Sequence, residues 1–119
     1  NSYGQEWITD ANFDSKINEK KAFGDNQSLP VIVEFYASFN DANKFEDWVK
    51  LENVIYYRAD IAKAPEAKKK YRVRMAPTLI IFKEGIKEIV FKAGLDLMLP
   101  ASVKEIQESI NEVNTASQF

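Results

Sequence analysis

Pro30-Val31-Ile32-Val33-Glu34-Phe35-Tyr36-Ala37 decides the fold, because its apolar run is broken by a single carboxylate. A strand with one wet face alternates polar and apolar residues, whereas a run apolar at almost every position belongs to a central strand covered on both sides. Proline suits its first residue, where no ladder hydrogen bond is required. Working upstream, Glu6-Trp7-Ile8 predicts a short strand. Ala11–Ile17 predicts a helix with Asp10 as its N-cap and Phe13 and Ile17 on one face. Gly24-Asp25-Asn26-Gln27-Ser28 is a loop by composition.

Downstream, residues 40–50 predict a short helix with Ala42, Phe45 and Val49 on a shared face and Trp48 on its flank. Val54–Ala59 is a second β-rich run, ending at Asp60. Pro65–Tyr71 reads as a helix with proline near its first position and Lys68-Lys69-Lys70 at its C-terminal end, where cations suit the dipole. Thr78–Phe82 and Lys87–Phe91 flank Lys83-Glu84-Gly85 as an antiparallel hairpin. A last helix spans about Pro100 to Asn114, with Val103, Ile106, Ile110 and Val113 as its buried stripe. The order β-α-β-α-β-α-β-β-α implies an α/β fold with a mixed central sheet and helices on both faces. Without repeats or linkers, one domain is expected over residues 1–119, its core at about 5–114 and a short C-terminal tail after it.

Composition narrows function. The 119 residues are 45% hydrophobic and 13% aromatic, enough for a genuine core. Net charge is −2, so no overall field favours nucleic acid as a partner. No apolar run is long enough to span a bilayer and no leader-like apolar stretch opens the chain, so no membrane is expected. The compartment stays open: cytoplasmic, or the secretory pathway with a leader removed. There is no cysteine and no histidine. Disulfides, thiolate metal sites and thiol catalysis are thereby excluded, along with the commonest general base and metal ligand. No cofactor and no metal are expected.

The order of elements resembles the thioredoxin superfamily, and four local stretches carry the likeness. Val33-Glu34-Phe35-Tyr36-Ala37 resembles the strand leading into the active site, in its protein disulfide isomerase spelling. Arg72-Val73-Arg74-Met75-Ala76-Pro77-Thr78 resembles the loop that carries a cis-proline. Phe82-Lys83-Glu84-Gly85 is similar to the family's hairpin turn, and Gly94 sits where a glycine follows the last strand. The resemblance implies a thioredoxin fold with a shortened second helix, since the segment between Asn43 and Val54 is about two helical turns shorter than usual. The family's Trp-Cys-x-x-Cys-Lys segment is represented by Phe39-Asn40-Asp41-Ala42-Asn43-Lys44, with Asn at both thiol positions. Laboratory replacements usually use Ser or Ala, which points to a natural loss. An amide cannot form a thiolate or attack a disulfide, so the family's dithiol chemistry is not expected. The resemblance also makes Glu34 the buried carboxylate that assists proton transfer in active relatives, and places Tyr56 where a lysine partner is usual. On that reading Glu34 is the remnant of a dismantled site.

The leading expectation is a non-catalytic thioredoxin-like binding or scaffolding module, with no enzymatic role. It would present Phe39, Asn40, Asp41, Asn43, Trp48, Ala76, Pro77 and Gly94 to a protein or an extended peptide segment. Each feature also has a purely structural reading. Asn40 can cap a helix, Trp48 can fill core volume, and Pro77 can simply shape the start of a strand. Glu34 can be a leftover carboxyl satisfied by Tyr56 or water. Lys68, Lys69 and Lys70 with Arg72 and Arg74 form either an anion-docking patch or a solvated helix end. Asn26-Gln27-Ser28 meets the glycosylation sequon. The alternatives are a peptide-binding chaperone-like domain, an enzyme with thiol-independent chemistry, or a phosducin-like regulator. The last is suggested by Lys63-Ala64-Pro65 and Phe91–Leu95. Oligomeric state is left open.

Overall fold

The computed structural model describes residues 6–18, 22–23, 27–39, 45–94, 98–99 and 101–116. The chain runs β1 (Glu6–Ile8), α1 (Phe13–Ile17), β2 (Ala22–Phe23), β3 (Gln27–Ser28), β4 (Val31–Tyr36), a 3-10 helix (Glu46–Lys50), β5 (Ile55–Asp60), α2 (Pro65–Lys70), β6 (Thr78–Lys83), β7 (Ile86–Lys92) and α3 (Val103–Ala116). Five strands form one mixed sheet in the order β1-β5-β4-β6-β7. β1 and β4 run parallel to β5, while β6 and β7 are antiparallel. This is the thioredoxin arrangement that the order of elements implied.

β4 lies in the middle, and its alternate residues feed two separate cores. Val31, Val33 and Phe35 join Phe13, Ile17, Ala64, Ala67 and Val73 on the α1/α2 face. Ile32 joins Tyr56, Leu79, Ile81, Ile106, Ile110 and Val113 on the α3 face. Two-sided burial is why the run contains almost no polar residue. The β6–β7 hairpin closes through Glu84 and Gly85, at φ 51° and 82°. Two consecutive positive-φ residues match the twist of the flanking strands, and glycine is the natural occupant. A Cβ at Gly85 would also run into the Asn18 side chain at the end of α1.

Four expectations change. The predicted helix over 40–50 survives, in its described part, only as the 3-10 helix Glu46–Lys50. A 3-10 helix repeats every three residues, so Phe45, Trp48, Leu51 and Val54 all pack on the α3-side core while Val49 turns outward, 56% exposed. Asp10 does not cap α1. Its carboxylate accepts hydrogen bonds from the amides of Glu66 at 2.9 Å and Ala67 at 2.9 Å, so it caps α2 from 56 residues away. Gln27 and Ser28, read as loop, pair with Phe23 and Ala22 in a two-residue ladder, while Gly24, Asp25 and Asn26 lie outside the described residues. The last helix begins at Val103 because Ser102 and Glu105 form a capping box, with the Glu105 amide donating to Ser102 Oγ at 3.2 Å.

Candidate functional site

The register of the sheet brings the candidate residues together. Tyr36 pairs with Asp60, Phe35 with Thr78, and Thr78 with Lys92. The segments that follow β4 and β5, precede β6 and follow β7 therefore share one end of the sheet. Ala37 to Phe39, Ile61, Ala76 and Pro77, and Ala93 and Gly94 all lie there.

Exposure separates these residues. Phe39 is 78% exposed and Gly94 is exposed, whereas Ala76 and Pro77 are buried, across a cis peptide bond as expected. Trp48 is half-buried and stacks on Tyr56, ring centroids 5.3 Å apart and 18° from parallel. Asn40, Asp41 and Asn43 lie outside the described residues.

Beneath that end sits a polar knot that the sequence only half reveals. Glu34 is fully buried, and its directly paired residue on β5 is Arg58, also buried. Glu34 Oε1 accepts from Arg58 Nε at 3.0 Å, Arg58 Nη2 at 2.9 Å and the Tyr56 hydroxyl at 2.7 Å. Oε2 accepts from the Phe45 amide at 3.0 Å, and Arg58 Nη2 also donates to the Phe45 carbonyl at 3.0 Å. Phe45, which opens the 3-10 helix, is thus gripped at both backbone groups. Burial first, and then the Glu34 carboxylate, hold the Tyr56 phenol well above its ordinary pKa of 10.0. Tyr56 satisfies Glu34, as the structural reading of a leftover carboxyl implies, but the carboxylate also keeps a cationic neighbour in place of the usual lysine. Arg58 supplies the cation, two residues beyond Tyr56 on the same face of β5. The signal for it is a second lone charge inside an apolar strand, since buried charges occur in pairs.

The knot is a locked structure rather than an open acid. Four donors occupy the carboxylate, and among the described residues no group of three or more acidic, cysteine or histidine side chains could hold a metal ion. On the α2 side, by contrast, Phe39 lines an open recess of about 260 Å³ with Ala37, Ile61, Ala62 and Lys68. Asp60 also lines it, its carboxylate accepting from the Ala62 amide at 2.9 Å. Neither Ile61 nor Ala62 is marked by any motif in the sequence. No helix among the described residues is long and apolar enough to cross a membrane.

Solved structures share this architecture. A mutant thioredoxin from Halobacterium salinarum NRC-1 superposes with a TM-score of 0.70 over 92% of this chain and 90% of its own, at 16% identity. Chlamydomonas reinhardtii thioredoxin f2 gives 0.69 over 92% and 96%, at 17% identity. Identities this low speak for the fold alone. Among curated protein sequences there is no match. The family model for thioredoxin, however, matches residues 5–105, most of the chain, and by that measure the chain belongs to the thioredoxin family.

Proposed function

We propose that this chain is a redox-inactive thioredoxin-family module that binds a protein partner, or an extended segment of one, at the Phe39 end of its sheet. The observation that carries this reading is Phe39 itself. A large aromatic side chain 78% exposed beside an apolar recess is a natural anchor for a partner. The absence of cysteine supports the redox-inactive half, because thiol–disulfide exchange requires a thiolate. The four donors on Glu34 weigh against its serving as the base of a thiol-independent enzyme, which would need a free lone pair facing substrate. Exposed Gly94 shares that end of the sheet and belongs to the same contact surface, buried Pro77 lies beneath it, and Asn40, Asp41 and Asn43 adjoin Phe39 in sequence.

The test is an amide chemical-shift titration with a short extended peptide rich in leucine. Shifts are expected to cluster at Ala37–Phe39, Ile61–Ala62 and Ala93–Gly94, and Phe39→Ala should weaken binding by about tenfold, the scale of an interface anchor. Binding that Phe39→Ala leaves untouched would remove the proposed surface. Insulin reduction above the buffer rate would overturn the redox-inactive assignment.

A further inference from the structure

The second candidate region lies against the first. α2 ends in Lys68-Lys69-Lys70, and the chain leaves it through Tyr71-Arg72-Val73-Arg74. The exit is a Schellman motif: the Val73 amide donates to the Lys68 carbonyl at 2.9 Å and the Arg72 amide to the Lys69 carbonyl at 3.2 Å. The motif puts Arg72 at φ 55°, in the left-handed region where glycine is the usual occupant and a side chain is disfavoured. This sequence keeps a long cation at a position where glycine would be more stable. Lys68, Lys69, Arg72 and Arg74 surround a recess of about 370 Å³ floored by Pro65 and Val73, with no carboxylate in its lining. Among the described residues none of these four cations is in an ion pair, although neighbouring Lys70 lies 3.8 Å from Asp14. The chain's net charge is −2, so the concentration of cations is local rather than a matter of composition. Lys68 lines this recess and also the one beside Phe39, so the two adjoin at that side chain, and the Asp60 carboxylate lies on the Phe39 side alone.

We infer that the two recesses form one docking site whose occupant is an acidic peptide segment, with a bulky apolar residue against Phe39 and neighbouring carboxylates over Lys69, Arg72 and Arg74. The inference deepens the binding reading above and rests on it. Charge complementarity selects the occupant: unpaired guanidinium groups in an open recess favour carboxylates, which they can grip through two parallel hydrogen bonds. An apolar pocket on one side and a cationic pocket on the other require both chemistries in adjacent stretches of one extended chain. Four cations are fewer than the roughly six to ten phosphate contacts of a typical nucleic-acid footprint, which favours a peptide.

Fluorescence anisotropy with three labelled probes tests this: a short peptide with leucine flanked by glutamates, its counterpart with every Glu replaced by Gln, and a short oligothymidylate. The acidic peptide should bind about tenfold more tightly than the glutamine peptide at low salt, and the gap should narrow as salt screens it. Arg72→Gly should erase much of that gap while raising the melting temperature by about 3 °C, as relief of a disfavoured backbone conformation requires. Lys69→Gln, which leaves the backbone alone, should narrow the gap without that thermal gain. Equal binding of the two peptides would overturn the charge inference while leaving the Phe39 surface standing. Oligothymidylate binding as tightly as the acidic peptide would also overturn it, in favour of a general polyanion surface. If neither peptide binds, both readings fall together.

Discussion

Two charged clusters sit on opposite faces of the same sheet, and the protein treats them in opposite ways. On the α3 side, Glu34 and Arg58 are sealed from water and every buried polar side-chain atom among the described residues has a partner. On the α2 side, Lys68, Lys69, Arg72 and Arg74 line an open recess with no carboxylate opposite. A charge taken out of water must be matched or the fold does not form, so the first cluster is constrained by stability. A charge left in water costs the fold almost nothing whether matched or not, so the second is free to answer to a partner. The residue types are similar, and solvent access alone sets whether the fold itself must match them.

The comparison breaks most readily at Arg58. Arg58→Met strips a buried carboxylate of its cation and should destabilise the fold by about 3–5 kcal/mol in urea denaturation. Adding Glu34→Leu to it should restore part of that loss, because an apolar pair of similar volume needs no matching charge. A loss below about 1 kcal/mol for Arg58→Met, the value of an exposed pair, would erase the distinction between the clusters.

Tyr56 sharpens it along the pH axis. Its folded pKa is raised, so the native state holds the phenol proton more tightly than the unfolded chain, whose tyrosine titrates near 10.0. The stability this contributes is complete below that unfolded value and is lost as pH climbs through the higher folded one. Tyr56→Phe should cost about 1–2 kcal/mol at neutral pH and flatten the alkaline fall in stability by one proton. An unchanged alkaline slope in melts above about pH 10 would detach Tyr56 from the knot.

Asp10 probes the open side. Its carboxylate caps the first amides of α2 while the lysines occupy the other end, both favourable to the helix dipole. Asp10→Ala should cost about 1 kcal/mol, read as a lowered melting temperature, and leave the Glu34 knot intact.

The sheet is readable because strand burial is written into short local runs. Val31–Tyr36 and Thr78–Phe82 announce doubly covered strands, and Glu84-Gly85 announces its turn. What escapes a local reading is whatever depends on another part of the chain. Arg58 acquires its meaning only when β4 and β5 pair in one particular register, which no local window contains. Asp10 carries a strong capping signal, but its helix is the one that folds against it rather than the one that follows it. The 3-10 segment misleads for a different reason. Spacing of three and spacing of 3.6 diverge by little over one turn, so Val49 passes for a buried residue and Leu51 goes unnoticed. For the site, Phe39 is visible as part of a motif, while the recess beside it is assembled from β4, β5 and α2 together.

The long reach of Asp10 gives the molecule a built-in reporter. The Glu66 and Ala67 amides have no acceptor within their own helix, as is true of any first turn, and rely on a carboxylate that follows β1. Their hydrogen-exchange rates should therefore follow the detachment of the N-terminal strand rather than the fraying of α2. Two backbone protons in the middle of the chain thus record whether its beginning is docked.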